Sequence, residues 1–345
     1  MNYKELLNNI QEDKIVEENY NAHQRVLIID GLNLFFRNFA MMNMVNSYGD
    51  HIGGLGGFLR SLGSLIGQIN PTSVYVVFDG VGSSQNRKNI IPEYKSNRNI
   101  TKITNWEIFN NIEEENDSKI DQIGRIIQYL SLLPVKIISI NKTEADDVIA
   151  VISEKLSKNK NNQIFMVTND KDYFQLIKKN VILYMPSKKD FITSDFIFNE
   201  YKVLVENFII YKTLIGDNSD KVKGAKGLGP KKIVKLFPML SERVVTLENL
   251  FKFCEEKIND NVIYAQILKQ KESLRNSYKI MDLSNPMVGE EDIEYIENFI
   301  KTEKNKYQPL MFNKLYEEDQ LGKIIKNLDK WLKDYFEPLL KFHII

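Results

Sequence analysis

The feature that most restricts the fold is an alternation that begins at Arg25. Short apolar runs rich in β-branched residues take turns with longer stretches of helical periodicity. The runs are Val26–Ile29, Val74–Phe78, Val135–Ile140, Ile164–Thr168 and Val181–Tyr184; the helix-like segments fall near 53–69, 118–132, 144–158 and 172–178. Strands that are apolar throughout must be covered on both faces, and strands joined through helices run parallel. The pattern predicts an α/β fold, a mostly parallel central sheet with helices on both faces. At 345 residues the chain exceeds the roughly 250–300 that one core organises, so a second region is expected. After Tyr201 helical periodicity dominates, broken by the Gly/Lys-rich stretch 216–232 and by Pro238, Pro286 and Pro309. The expected division is an N-terminal extension over 1–24, an α/β domain over 25–203 carrying a long polar insertion at 80–118, and a helical region over 204–345. Within the insertion, a weakly helical patch is expected around Trp106–Ile112.

Several function classes start at a disadvantage. The single cysteine, Cys254, excludes an internal disulfide framework and a thiolate zinc site. Three scattered histidines, His23, His51 and His343, offer neither an H-E-x-x-H zinc motif nor support for a Ser-His-Asp triad. No apolar run approaches the roughly 18–20 residues that span a bilayer, and the N-terminus lacks a secretory signal, so a cytoplasmic protein without membrane contact is expected. The 46 basic and 46 acidic residues cancel, so any affinity for phosphate must come from local segregation of charge.

Acids are segregated first. Asp30 follows the first apolar run and Asp79 the second; Glu144, Asp146 and Asp147 follow the third, and Asp170 and Asp172 the fourth. In a parallel sheet the carboxyl ends of the strands share one edge, where α/β proteins bind ligands. Asp217 and Asp220 open a later loop that could reach the same edge. Like charges crowded together repel, and divalent metal is the simplest neutraliser. All-oxygen ligands select hard cations, so two Mg²⁺ ions are expected, with Mn²⁺ able to substitute. Two such ions about 3.5–4 Å apart serve in-line phosphodiester hydrolysis. Each piece also has a plainer reading: Thr143-x-x-Asp146 is a capping box, and Asp30-Gly31 and Asp79-Gly80 are turn signals. Gly53-Gly54-Leu55-Gly56-Gly57 lacks the spacing and the preceding strand of a dinucleotide loop; small residues for close helix packing, or for approach of a phosphate backbone, fit better.

Positive charge is segregated too. Lys221, Lys223, Lys226, Lys231, Lys232 and Lys235 occur in a segment without acids, framed by Gly224, Gly227 and Gly229 and by Pro230 at an expected first helical position. Such a hairpin suits a phosphate backbone, although a solvated basic face would look similar. The insertion carries Arg87, Lys88, Lys95, Arg98 and Lys102 with Tyr94 among them, a composition that suits single strands or a solvated loop.

Together these motifs resemble the structure-specific 5′-nucleases: flap endonucleases, the 5′-nuclease domains of bacterial DNA polymerases, and phage 5′→3′ exonucleases with RNase H activity. The matching elements are Ile29-Asp30-Gly31-Leu32-Asn33, Phe78-Asp79-Gly80, Pro92 to Arg98, Glu144-Ala145-Asp146-Asp147, Thr168 to Asp172, and Gly216-Asp217-Asn218-Ser219-Asp220 running into Gly224-x-x-Gly227-Leu228-Gly229. They occur in family order, most in the style of a phage-encoded member. The resemblance implies a PIN-like fold whose insertion forms an arch, and a helix–three-turn–helix over 216–236 where K⁺ can bind. It implies a first metal site at Asp79, Glu144 and Asp146 with Asp30 close by, and a second at Asp147, Asp170, Asp172, Asp217 and Asp220. It casts Lys95 and Arg98 as neutralisers of the scissile phosphate and Tyr94 as an aromatic stacking near it. It further implies nucleic-acid contacts from Arg87, Lys88, Lys223, Lys226, Gly227, Gly229, Lys231 and Lys232. The expected partners are DNA and RNA–DNA hybrids with 5′ ends, flaps or junctions, with a sliding clamp or single-strand-binding protein docking at Trp331–Ile345 unless that segment is a packed terminal helix. A monomer is expected. Two departures stand out: Lys221 where the family usually has Asn, and Lys223 where Pro often stands. Two rivals share the motifs, a non-catalytic junction-binding protein and a single-strand PIN-type ribonuclease.

Overall fold

The computed structural model describes residues 24–97, 102–302, 304–322 and 324–341. Arg98, the last four residues and all of the 1–24 extension but its last residue lie outside that set.

Strand β1 (Arg25–Asp30) is followed by α1 (Gly31–Met41) and α2 (Gly53–Ile69), then β2 (Ser73–Asp79). The insertion contains a short helix α3 (Gln85–Ile90) and leads into α4 (Ile112–Ser131). Residues 106–108 form a turn where a helical patch was expected, because the helix starts only where Asn111 can accept from the Glu114 N–H. Glu113, Glu114 and Glu115 then favour its N-terminal dipole. Next come β3 (Lys136–Ile140), α5 (Ala145–Ser157), β4 (Gln163–Val167), a 3₁₀ turn (Lys171–Leu176), β5 (Val181–Met185) and β6 (Asp190–Ile192).

These strands form one sheet in the order β3-β2-β1-β4-β5-β6, parallel except for the β5–β6 hairpin at the edge. Ile28 in β1 stands between Tyr75 of β2 and Met166 of β4, which fixes the central register. Alternate side chains feed two cores. Val26, Ile28, Tyr75, Val77, Ile164 and Met166 point into one; Leu27, Ile29, Val74, Val76, Phe165 and Val167 point into the other. The fold is thus the expected mostly parallel sheet with helices on both sides.

The remaining elements are α6 (Ser194–Tyr201), α7 (Phe208–Ile215), a small ladder of β7 (Gly216–Asp217) and β8 (Val222–Lys223), α8 (Pro230–Leu236), α9 (Met239–Glu242), α10 (Leu247–Glu256), α11 (Val262–Lys269), α12 (Lys271–Met281), α13 (Glu290–Lys301), α14 (Pro309–Glu318) and α15 (Leu328–Tyr335). Residues of α7 to α13 pack on the first core, whereas α14 and α15 return to the second. There Trp331 lies against Gly63 and Ile324 against Gly56 of α2, so the glycine run serves helix packing. Trp331 and Leu339 are buried, and the terminal segment up to residue 341 is packed. Among the described residues no helix is long and apolar enough to cross a membrane.

Candidate metal centre

Every strand-end acid reaches the same edge. Asp30 closes β1 and starts α1: its Oδ1 accepts from Asn33 N at 3.0 Å, and its Oδ2 accepts from Thr168 Oγ1 at 3.3 Å and Tyr173 Oη at 3.4 Å. Loss of solvent, aided by Asp79, Asp170 and Asp146 and opposed by the Asn33 bond, pushes its carboxyl up to about 7. Asp79 closes β2 and caps the neighbouring helix, Oδ1 accepting from Ala145 N at 2.7 Å. That bond takes the place of the expected capping box, since Thr143 Oγ1 turns instead toward Asn141 O. Gly80 follows because nothing larger fits: a Cβ there would stand 1.7 Å from Ile140 O.

Glu144 is buried at the start of α5. Its Oε2 accepts from Lys95 Nζ at 2.7 Å and Tyr94 Oη at 3.1 Å, while its Oε1 is buried with no donor. Burial first, then Asp146, raise this carboxyl against the pull of Arg87 and Lys95. Asp147 is also buried and pushed up to about 7 by burial and Asp146, with Arg87 opposing. On the other side, Asp170 caps the 3₁₀ turn by accepting from Asp172 N at 2.9 Å. Lys212, from the last turn of α7, bridges Asp172 at 2.7 Å and Asp217 at 2.8 Å. Burial works against the Asp217 anion, but Lys212 and Ser219 outweigh it and hold the carboxyl below its ordinary range. Asp220 completes the set: its carbonyl accepts from Lys95 N at 3.0 Å, and its charge acts on Asp170.

The nine acids therefore form one electrostatic field, with Arg87, Lys95 and Lys212 standing among them. As the side chains lie, no three acids among the described residues close around a single point. The donor set nevertheless suits hard cations. It is all oxygen, it includes a buried carboxylate oxygen without a donor, and several members are raised by burial and by one another's charge.

Two expected roles need correction. Tyr94 is only 4% exposed, its hydroxyl committed to Glu144, so its ring offers no face for stacking. Arg87 is buried rather than facing nucleic acid; its guanidinium is spent on Glu144, Asp146 and Asp147. Arg98 lies outside the described residues. Lys88, Lys223, Lys226, Lys231 and Lys232 are exposed, and Gly227 and Gly229 lie in the loop before α8, which starts with Pro230 in its first turn. Lys232 Nζ donates to Gly227 O at 2.8 Å, tying the loop to the helix. Gly216 has φ +77 and a Cβ on it would press on Gly224 N at 2.3 Å, so the β7–β8 turn requires glycine. Lys221 sits at φ 60, a left-handed position that Asn takes more readily than Lys. Lys212 escaped the sequence reading. Its signal was a lone cation within the apolar Phe208–Ile215 helix, five residues before an acid.

Comparison with known proteins decides the family. Residues 25–202, just over half of the chain, match the model of the 5'-3' exonuclease N-terminal, resolvase-like domain. The chain belongs to the 5'-3' exonuclease family. The 5'-3' exonuclease of Aquifex aeolicus is 29% identical over 84% of this chain and 93% of that protein. DNA polymerase I of Borreliella burgdorferi is 28% identical over 89% of this chain but only 32% of its own length. In fold, the nuclease is similar to the phage T5 5'-exonuclease solved with zinc (TM-score 0.61, 19% identity, 92% of this chain and 99% of that one). It is also similar to human GEN1 bound to Holliday junction DNA (TM-score 0.54, 14% identity, 90% and 72%). The nuclease is thus a phosphodiesterase.

Proposed function

We propose that this nuclease is a Mg²⁺-dependent, structure-specific 5′-nuclease that cuts DNA or RNA–DNA hybrids near a 5′ end, flap or single-strand/duplex junction. The observation that carries this reading is the meeting of nine acids from separate strand ends and loops at one sheet edge, beside a lysine hairpin. Asp30, Asp79, Glu144 and Asp146 would hold one ion, and Asp170, Asp172, Asp217 and Asp220 a second; Asp147, expected with the second, has both oxygens turned to Arg87. Such ions supply Lewis-acid neutralisation of the phosphate and an acidified water for in-line hydrolysis. Lys95, whose ammonium already sits at the acid edge, orients and neutralises the phosphate being cut. Lys223, Lys226 and Lys231 grip the backbone of adjoining duplex, and backbone carbonyls of the 216–236 turn offer a seat for K⁺. The products carry 5′-phosphate and 3′-hydroxyl ends, and primer removal in a cytoplasmic monomer is the fitting use. The 25–203 and 204–345 division belongs to the same reading, the first part carrying most of the cutting acids and the second adding Asp217, Asp220 and the lysine hairpin. A sliding clamp or single-strand-binding protein would dock away from the buried Trp331, Leu332, Phe336 and Leu339.

One assay tests it: a 5′-flap duplex, a nicked RNA–DNA hybrid and free single-stranded RNA, each with Mg²⁺ or EDTA. Cleavage of the first two in Mg²⁺ alone is expected. Cleavage restricted to free RNA favours a ribonuclease, and tight junction binding without cleavage favours a pure binding protein.

A further inference from the structure

Arg87 is 3% exposed, and all of its guanidinium nitrogens are engaged. Nη1 meets Asp147 Oδ2 at 2.5 Å and Glu144 Oε2 at 3.3 Å; Nη2 meets Asp147 Oδ1 at 3.1 Å and Asp146 Oδ2 at 3.4 Å. Nε donates at 2.8 Å to Ile280 O, at the end of α12, far along the chain. Asp147 is equally committed. Both its oxygens face Arg87, and Oδ1 also accepts from Met287 N at 3.0 Å. A buried fork–fork pair of this kind fixes geometry, and neither partner can leave without stranding a charge.

We propose that Arg87 is a positioning residue of the acid site, anchored by Asp147 and by Ile280 O, which sets Glu144 and Asp146 in place to receive a divalent ion. In this arrangement Asp147 acts through Arg87 and is not itself an ion ligand. The consequence extends past the matched region. Beside Lys212, Asp217 and Asp220, residues 280–287 also complete the site, holding the back of the Arg87–Asp147 pair. Gln175 reinforces that join, donating from Nε2 to Met281 O at 2.9 Å and accepting from Leu283 N at 2.9 Å.

The proposal rests on the metal-dependent reading, and its test separates the two. Mg²⁺ affinity would be measured by calorimetry without nucleic acid for wild type, Arg87→Gln, Arg87→Lys, Asp147→Asn and the Arg87→Gln/Asp147→Asn pair. Far-UV circular dichroism in EDTA would check each fold. A cation that merely competes for the acids would, on removal, leave Mg²⁺ bound more tightly. A positioning residue predicts the opposite sign, about 10–100-fold weaker binding in Arg87→Gln, the size typical of lost outer-sphere partners. Arg87→Lys should recover part of the loss, because the charge stays and the fork does not. Asp147→Asn should match Arg87→Gln, with the double variant no worse than either. Tighter or unchanged Mg²⁺ binding in Arg87→Gln overturns the proposal, as does a double variant whose losses add. Should Arg87→Gln fail to fold, Arg87→Lys against Asp147→Asn still decides, since a direct ligand at 147 would make Asp147→Asn far the weaker binder. A wild type that binds Mg²⁺ yet cuts no substrate removes the nuclease reading and leaves this one standing.

Discussion

At the scale of single residues, the site is governed by how few alternatives each position allows. The charge of Asp146 acts on Asp30, Glu144, Asp147 and Asp170 alike. Asp146→Ala should abolish flap cleavage yet leave junction binding, read by gel shift in EDTA, nearly unchanged; full activity would remove it from the site. Gly80→Ala should cost about 1–3 kcal/mol in thermal unfolding, because the added methyl runs into the Ile140 carbonyl and the β2 and β3 ends must part. The acids were legible from sequence because a strand end is a fixed address: a carboxylate one residue past an apolar run has only one edge to occupy. Tyr94 and Arg87 were misread because composition gives a residue's chemistry and not its depth. In the strand-poor insertion no period told inward from outward, and both proved to be inside.

At the scale of elements, the lysine hairpin and the helix it launches divide their charges between two tasks. Lys226, Lys231 and Lys232 are all exposed, but Lys232 donates to Gly227 O of its own loop, whereas Lys226 and Lys231 extend their ammonium groups to solvent. Replacing both by Gln should weaken duplex binding and lower the slope of log affinity against log salt by about 1.8, at roughly 0.9 per phosphate contact. An unaltered slope would mean that the hairpin holds no phosphate. The five parallel strands emerged from the sequence almost residue for residue, since apolar runs bounded by turns leave little choice. The β5–β6 hairpin and α1 did not. The hairpin's second strand is three residues long, too short for any period, and α1 begins on the very Asp-Gly pair that also spells a turn.

At the scale of the whole molecule, two lysines stitch distant parts of the chain to the sheet edge opposite the acids. Lys136 Nζ donates to Phe299 O and Ile300 O at the end of α13, and Lys304 Nζ to Thr72 O and Leu339 O. Burial brings both ammonium groups down to about 8, with Lys304 adding to the effect on Lys136. Between pH 8 and 10.5 the unfolded chain therefore holds more protons than the folded one, so these groups make stability rise with pH across that window. Below about pH 8 their penalty is fully present. Lys136→Met should flatten the rise in urea midpoint over the same interval; a rise as steep as in wild type would mean that Lys136 titrates normally. The sequence offered one helical region from residue 204 onward, yet α14 and α15 lie on the other face from α7 to α13, because helical periodicity tells which side of a helix is apolar and not which partner it meets. That return path sets an order on biosynthesis. The apolar stripe of α2 leaves the ribosome well before Ile324 and Trp331, which sheathe it. Until those residues emerge, the nascent chain carries an apolar flank of α2 that is not yet closed, so the demand for chaperones should fall in that interval.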